Sequence, residues 1–431
     1  MTAFLDTTEP DFEARFAALL GQKREEAEDV DAAVAAIIAD VRARGDAALL
    51  DLTERFDRVR PASLRFTEAE VDALVAQVPG EERAALELAA ERIRAFHARQ
   101  MPRDESWTDE AGATLGWRWT PVAAAGLYVP GGTASYPSSV LMNAVAARVA
   151  GVPRVVVTVP TPDGVANPLV LLACRLAGVH EVYRVGGAQA VAALAYGTES
   201  IAPVDKITGP GNAYVAAAKR RVFGRVGIDM IAGPSEVLVI ADAHADPDHV
   251  ALDLLAQAEH DASAQSILVT TSPALARAVA EAVERHLPTL PRAAIAGASW
   301  RDNGAVTVVR DLAEAAALSD RVAPEHLELI VEDPEALAAR VTHAGAIFLG
   351  PWSPEAVGDY VAGPNHVLPT ARTARFSSGL SVLDFLKRTT LQRLTPEALR
   401  RLGPAAETLA RAESLDAHGL SVRARLDRLN R

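Results

Sequence analysis

One cysteine, Cys174, stands among the 431 residues. A lone thiol can form no intramolecular disulfide and cannot supply the paired thiolates of a structural zinc site. It sits in Leu171-Leu172-Ala173-Cys174-Arg175-Leu176-Ala177, an apolar helical run that reads as core. Positive charge is short as well, with 43 Lys and Arg against 56 Asp and Glu and a formal charge of −13. Polyphosphate backbones and anionic membrane surfaces would be repelled, so neither nucleic acid nor membrane is an expected partner. No uncharged apolar run reaches the about 20 residues that cross a bilayer. Asp6, Glu9, Asp11 and Glu13 precede Arg15, the wrong charge order for a secretory signal, and the expected compartment is the cytoplasm. What remains, 49% hydrophobic and 23% charged residues, is enough apolar material for large cores. At about 150 residues per domain, the length suggests roughly three folding units.

Residues 1–120 read as a mainly helical region, with apolar positions at helical spacing in 32–38 and 83–97. From Pro121 short β-branched runs alternate with Ala/Leu-rich stretches, which predicts βαβ units and a mainly parallel sheet. The order strand, helix, strand, helix occurs twice, through 154–196 and through 236–286. Two related α/β domains, 121–235 and 236–385, account for it, although any doubly wound sheet repeats in this way. Residues 386–431 read as a helical tail.

Several short motifs bear polar groups. Gln257 and His260 are spaced to share one face at a helix end, where they could hold a metal or simply cap the helix. Ser353 and Pro354 read as N-cap and first residue of a short helix, which puts Asp359 near its negative pole, where a cation would compensate. Glu325-His326 pairs an acid with an imidazole, and on a strand the two would point to opposite faces and serve different parts or steps of a reaction. Gly-rich turns at Gly131-Gly132, Gly186-Gly187 and Gly209-Pro210-Gly211 open onto helical patterns, where free amides could receive a phosphate, but turn chemistry alone also explains them. None is a standard dinucleotide or P-loop fingerprint. Ser235 and His366 sit beside breakers at loop rims, and Glu413 with His418 lies in what reads as a surface helix of mixed charge.

In their joint order these stretches resemble the histidinol dehydrogenase family. The resemblance is carried by Gly126-Leu127-Tyr128-Val129-Pro130-Gly131-Gly132, Gly186-Gly187-Ala188-Gln189-Ala190, Ile207-Thr208-Gly209-Pro210-Gly211-Asn212, Ala232-Gly233-Pro234-Ser235-Glu236, Gln257-Ala258-Glu259-His260, Ala323-Pro324-Glu325-His326-Leu327 and Gly363-Pro364-Asn365-His366. It implies two incomplete, doubly wound Rossmann-like α/β domains, and a zinc-dependent, NAD-linked oxidation of L-histidinol through L-histidinal to L-histidine. Zinc ligands would be Gln257, His260, Asp359 and His418. Glu325 and His326 would do the proton work, and these six with Ser235, His366 and Glu413 would face the substrate. Tyr128, Gln189 and Asn212 would meet NAD. The resemblance also implies a homodimer whose tails cross into the partner's site. Two positions depart from the family pattern: Arg372 replaces a usual glycine, and Gly379 a frequent proline.

Rival readings are a relative on the same scaffold that oxidises a sulfonated propanediol, a zinc hydrolase using Glu325, and a non-catalytic binding module. His366 and Glu413 favour a basic, nitrogen-rich substrate over a sulfonate. A hydrolase would have no use for the Gly-rich turns with Tyr128, Gln189 and Asn212.

Overall fold

Val155, Val156 and Val157 are all buried, as a β-branched strand covered on both faces must be. Strands of this kind build two parallel sheets. The structure is a computed structural model that describes residues 2–21, 28–131, 136–231 and 233–431; Gly132 and Ala232 of the motifs above lie outside the described residues.

The chain divides into two compact units, Met1–Gln100 with Ala123–Phe385, and Met101–Val122 with Leu386–Arg431. Numbered along the whole chain, the strands are β1 (Ala3–Asp6), β2 (Glu105–Thr108), β3 (Thr114–Pro121), β4 (Ala124–Tyr128), β5 (Arg154–Thr158), β6 (Glu181–Tyr183) and β7 (Lys206–Thr208). They continue as β8 (Gly227–Ile228), β9 (Glu236–Ala241), β10 (Gln265–Thr270), β11 (Ala305–Val308), β12 (His326–Ile330), β13 (Ala346–Leu349) and β14 (Leu386–Arg393).

In the first unit one sheet runs β6-β5-β4-β7-β8 and the other β1-β11-β10-β9-β12-β13, all pairs parallel. Leaving β1 aside, both are wound alike. The chain enters at the centre, steps outward twice on one side, then crosses to the other, so each sheet has a switch point, at β4/β7 and at β9/β12. The fold is α/β, with two doubly wound Rossmann-like parallel sheets and helical segments toward both ends. β1 was not anticipated, because four residues are too few to display a period. Alternation along β9 feeds two core layers: Leu238 and Ile240 enter one, Val237, Val239 and Ala241 the other.

The second unit holds the antiparallel sheet β14-β3-β2 and the helices Pro396–Ala412 and Asp416–Leu429. The segment 386–393, read from sequence as part of the helical tail, is strand β14. It is exposed along almost its whole length, so no buried face imposed an alternation that could be read.

Candidate active site

The polar residues of the second sheet gather at its amino-terminal edge. β12 starts at His326 and β9 at Glu236, neighbours in register, with Val237 opposite His326. The main-chain N–H of Glu236 donates to Glu325 Oε2 at 2.9 Å. His326 Nδ1 lies 3.1 Å from the carbonyl oxygen of Glu236. A carbonyl only accepts, so this bond assigns the proton to Nδ1 and leaves the Nε2 lone pair bare. Nε2 is buried and has no hydrogen-bond partner among the described residues. Burial pushes the imidazole down to about 4, against the pull of Asp359 and with His260 and His366 adding to the fall. At neutral pH His326 is therefore an uncharged base.

Glu325 and His326 do not diverge as strand alternation would have them. Glu325 precedes the strand, just after Ala323 turns left-handed at φ 47°, and its Oε2 comes to 3.8 Å from His326 Nδ1.

The helix Pro247–Ala258 brings Gln257 to this edge, and His260 follows one turn later, its amide donating to the Gln257 carbonyl at 3.2 Å. Arg292 holds the turn through the carbonyls of Glu259 and His260. Gln257 is fully buried, yet neither its Oε1 nor its Nε2 has a hydrogen-bond partner among the described residues. A buried amide left so costs about 1–3 kcal/mol, a penalty that a cation on Oε1 would remove. The chemistry of these donors therefore fits a metal ion.

Asp359 stands near the end of the six-residue helix Glu355–Tyr360. The cap differs from the sequence reading: Pro354 is the N-cap and Ser353 lies before it, because Glu328 Oε1 accepts the Glu355 amide at 2.7 Å and no serine cap is needed. Asp359 Oδ1 is 3.7 Å from His326 Nε2. His366 Nδ1 donates to the Asp359 carbonyl at 2.9 Å, while its Nε2 is 3.2 Å from Ser139 Oγ. Ser139 lies in the first turn of the helix Pro137–Val149 that follows β4, so the carboxyl edge of the first sheet meets the amino edge of the second here. Ser235, immediately before β9, lies on the same edge, its carbonyl accepting the Gln265 amide.

Ligand atoms of His326, Glu355 and Asp359 lie within 4.8 Å of one another, a second grouping able to hold a metal. Glu355, Glu328 and Asp253 were not singled out from sequence. Burial raises all three carboxyls, with mutual repulsion adding to it for the two glutamates. Their signal was spacing: Asp253 and Glu355 each precede a candidate ligand by four residues on a helix, and Glu328 follows His326 by two on a strand. Glu413 and His418 belong to the second unit, where both are exposed, Glu413 at the end of one helix and His418 in the first turn of the next.

The three Gly-rich turns follow β4, β6 and β7 at the carboxyl edge of the first sheet, around its switch point, where open α/β sheets receive ligands. Tyr128 is buried, and its phenol oxygen accepts the Gly187 amide at 3.2 Å. Gly209 has φ +114°, and a Cβ there would lie 2.1 Å from the Tyr128 carbonyl, so the two turns approach only because it is glycine. Gly209 is gripped from both sides: Lys219 Nζ donates to its carbonyl at 3.0 Å, and its amide donates to Asp229 Oδ2 at 2.9 Å. Lys219 and Asp229 are themselves a buried ion pair. Gln189 is buried at the start of the helix Gly187–Tyr196. Asn212 Oδ1 caps the helix Ala213–Val222 by accepting the amides of Tyr214 and Val215. Turn and cap chemistry thus accounts for that oxygen, while the residue as a whole remains exposed.

The family model described as histidinol dehydrogenase matches residues 20–426. The chain belongs to the histidinol dehydrogenase family. Among its curated relatives, histidinol dehydrogenases from Cereibacter sphaeroides and Ruegeria pomeroyi are 77% and 73% identical, each alignment covering 100% of both chains. A crystal structure of histidinol dehydrogenase from Elizabethkingia anophelis superposes with a TM-score of 0.96 at 38% identity, covering 100% of this chain and 99% of that one. Membership makes the chain an NAD-dependent oxidoreductase. No helix among the described residues is long and apolar enough to cross a membrane.

The departures from the histidinol dehydrogenase pattern now have a location. Arg372 has φ +65°, a left-handed position where glycine is free of strain and a larger residue costs about 1 kcal/mol. The loop keeps its place because the neighbouring Ala371 amide donates to Glu236 Oε1 at 3.1 Å and Thr370 Oγ1 accepts the Gly233 amide at 2.5 Å. A Cβ on Gly379 would meet Leu368 at 2.6 Å, so its small size is used in packing.

Proposed function

We propose that this chain is a histidinol dehydrogenase that oxidises L-histidinol through L-histidinal to L-histidine in two successive NAD-linked steps at one zinc-containing site. The observation that carries this reading is a buried, neutral His326 with a bare Nε2, set beside Glu325 and Asp359, together with the buried, unsatisfied amide of Gln257.

The zinc ligands are Gln257, His260, Asp359 and His418. One carboxylate and three neutral donors would leave the cation a net positive charge, and zinc so held would supply a Lewis acid suited to the imidazole and amine nitrogens of histidinol. NAD would be held at Tyr128, Gln189 and Asn212, and when bound it would supply the hydride acceptor for each oxidation.

This chain's residues move the protons. His326 Nε2 accepts the alcohol proton as the substrate's C–H bond breaks, giving the aldehyde. Glu325 takes a proton from the water that adds to the aldehyde carbon. His326, having returned its first proton to the aldehyde oxygen as water adds, then accepts a hydroxyl proton of the hydrate as the second C–H bond breaks, leaving the carboxylic acid of histidine, which ionises in water. Ser235, His366 and Glu413 orient the substrate, and the acidity of Glu413 favours a basic one. Retaining the aldehyde between steps protects it from side reactions.

The active form is a cytoplasmic homodimer in which the tail of a second copy supplies Glu413 and His418. Mixing a Glu325→Gln chain with a His418→Asn chain tests this: activity returns in mixed dimers, and its absence under demonstrated subunit exchange contradicts sharing. Steady-state oxidation of L-histidinol and of a sulfonated propanediol tests the substrate. A clear preference for histidinol is expected, and preference for the sulfonate overturns the assignment.

A further inference from the structure

Gln257, His326 and Asp359 stand on three elements, and one side chain outside the proposed ligand set lies on the strand of His326 and reaches the other two. Glu328 follows His326 by two residues on β12, so the two share a face of the sheet. Its Oε1 accepts the main-chain N–H of Glu355 at 2.7 Å, the first amide of the helix that carries Asp359. That helix has no side-chain cap of its own, and its N-cap is Pro354. The Glu328 carboxyl also stands against that of Asp253, close enough for the two to share a proton. Asp253 lies one turn before Gln257 on the helix Pro247–Ala258, on the same face as Gln257.

Each partner of Glu328 is thus one helical turn from a proposed zinc ligand, and Glu328 itself is one strand repeat from the proposed base. Without Glu328 the short helix would meet β12 through the contacts of Asp359 and Glu355 with His326 itself, and the helix end bearing the unsatisfied amide through apolar packing, which is not directional. Hydrogen bonds from one buried carboxyl fix both in register with His326.

We propose that Glu328 is a positioning residue that, through Asp253 and the Glu355 amide, sets Gln257 and Asp359 at zinc-binding distance from each other and beside His326. The inference rests on the ligand set proposed above. It assigns Glu328 no contact with substrate, zinc or cofactor.

The test uses the full-length dimer and zinc alone as probe, with Glu328→Gln, Glu328→Leu and the control His260→Asn. Glutamine keeps both bonds, since its oxygen still accepts the Glu355 amide and its nitrogen donates to the Asp253 carboxylate. Leucine keeps neither. Zinc per subunit is measured by elemental analysis across a chelator series, together with kcat, KM for histidinol and far-ultraviolet circular dichroism. Glu328→Leu should weaken zinc retention by ~10–100-fold, as loss of groups that orient metal ligands does, raise KM for histidinol and keep the helical spectrum. Glu328→Gln should recover most of both. If Glu328→Leu does not fold, Asp253→Ala, at a half-buried position, is measured in its place with the same direction expected. Zinc loss in His260→Asn, with zinc bound as tightly as in wild type by Glu328→Leu or its replacement, overturns this inference alone and leaves a purely structural role. Zinc retained by His260→Asn overturns the ligand reading and this inference with it.

Discussion

The Nδ1 atom of His326 lies 3.1 Å from the main-chain carbonyl oxygen of Glu236, and that bond leaves Nε2 as the nitrogen able to take a proton. His326→Asn should lower kcat by about 10²–10⁴, the usual worth of a positioned general base. Zinc content should stay normal, because His326 is not among the four proposed ligands. Elemental analysis of the purified variant checks this; metal lost with the imidazole would place the ion on His326, Glu355 and Asp359 instead.

Glu325→Gln keeps an oxygen for the Glu236 amide but no longer offers a base to water. Oxidation of supplied L-histidinal should fall further than oxidation of L-histidinol to the aldehyde. Separate single-turnover measurements from the two substrates compare the steps, and equal losses would remove Glu325 from water activation.

Much of the fold was readable because strands such as β5 and β9 are apolar on both faces and the helix 273–286 has clear periodicity and a proline start. β1, β2, β3 and β14 escaped: β1 is too short to show a period, and the other three pair in a sheet with too little buried surface to impose one. At the candidate site, residues bearing distinctive chemistry in motifs were legible: Gln257, His260, Glu325, His326, Asp359 and His366. Asp253, Glu328 and Glu355 were not, since a carboxyl's burial depends on which helix covers which strand, and that is a property of the tertiary fold. The convergence of Glu325 and His326 was hidden for a related reason. Where the chain stops being strand decides whether alternation applies.

Lys219 and Asp229 form a buried pair that clamps Gly209 in the turn before Asn212. Removing one member leaves a buried charge, so Lys219→Met should cost about 3–5 kcal/mol of unfolding free energy and raise KM for NAD. Exposed pairs such as Arg321 with Glu13 should matter little when broken. Denaturant unfolding of Lys219→Met and Arg321→Met makes the comparison, and similar losses would contradict the clamp.

His97 is fully buried and neutral by its bonds, Nδ1 donating to Gln100 at 2.7 Å and Nε2 accepting from Asn365 at 3.2 Å. Burial lowers its pKa below the ordinary histidine value. The unfolded chain therefore binds a proton on falling through about pH 6.5 that the folded chain refuses, so the group's contribution to stability is full above that pH and lost as acidity rises. Unfolding free energy followed from pH 7.5 to 5 should fall less steeply in His97→Gln, by at most about 1.4 kcal/mol per pH unit. Parallel slopes would mean that His97 is protonated in the folded state.

The most direct test of the account counts NADH formed for each L-histidinol consumed by the zinc-loaded enzyme, with L-histidine identified as product. Two NADH per alcohol, with no aldehyde accumulating in solution, is the predicted result. One NADH with histidinal released, or histidinol consumed without NADH, would contradict two oxidations at a single site.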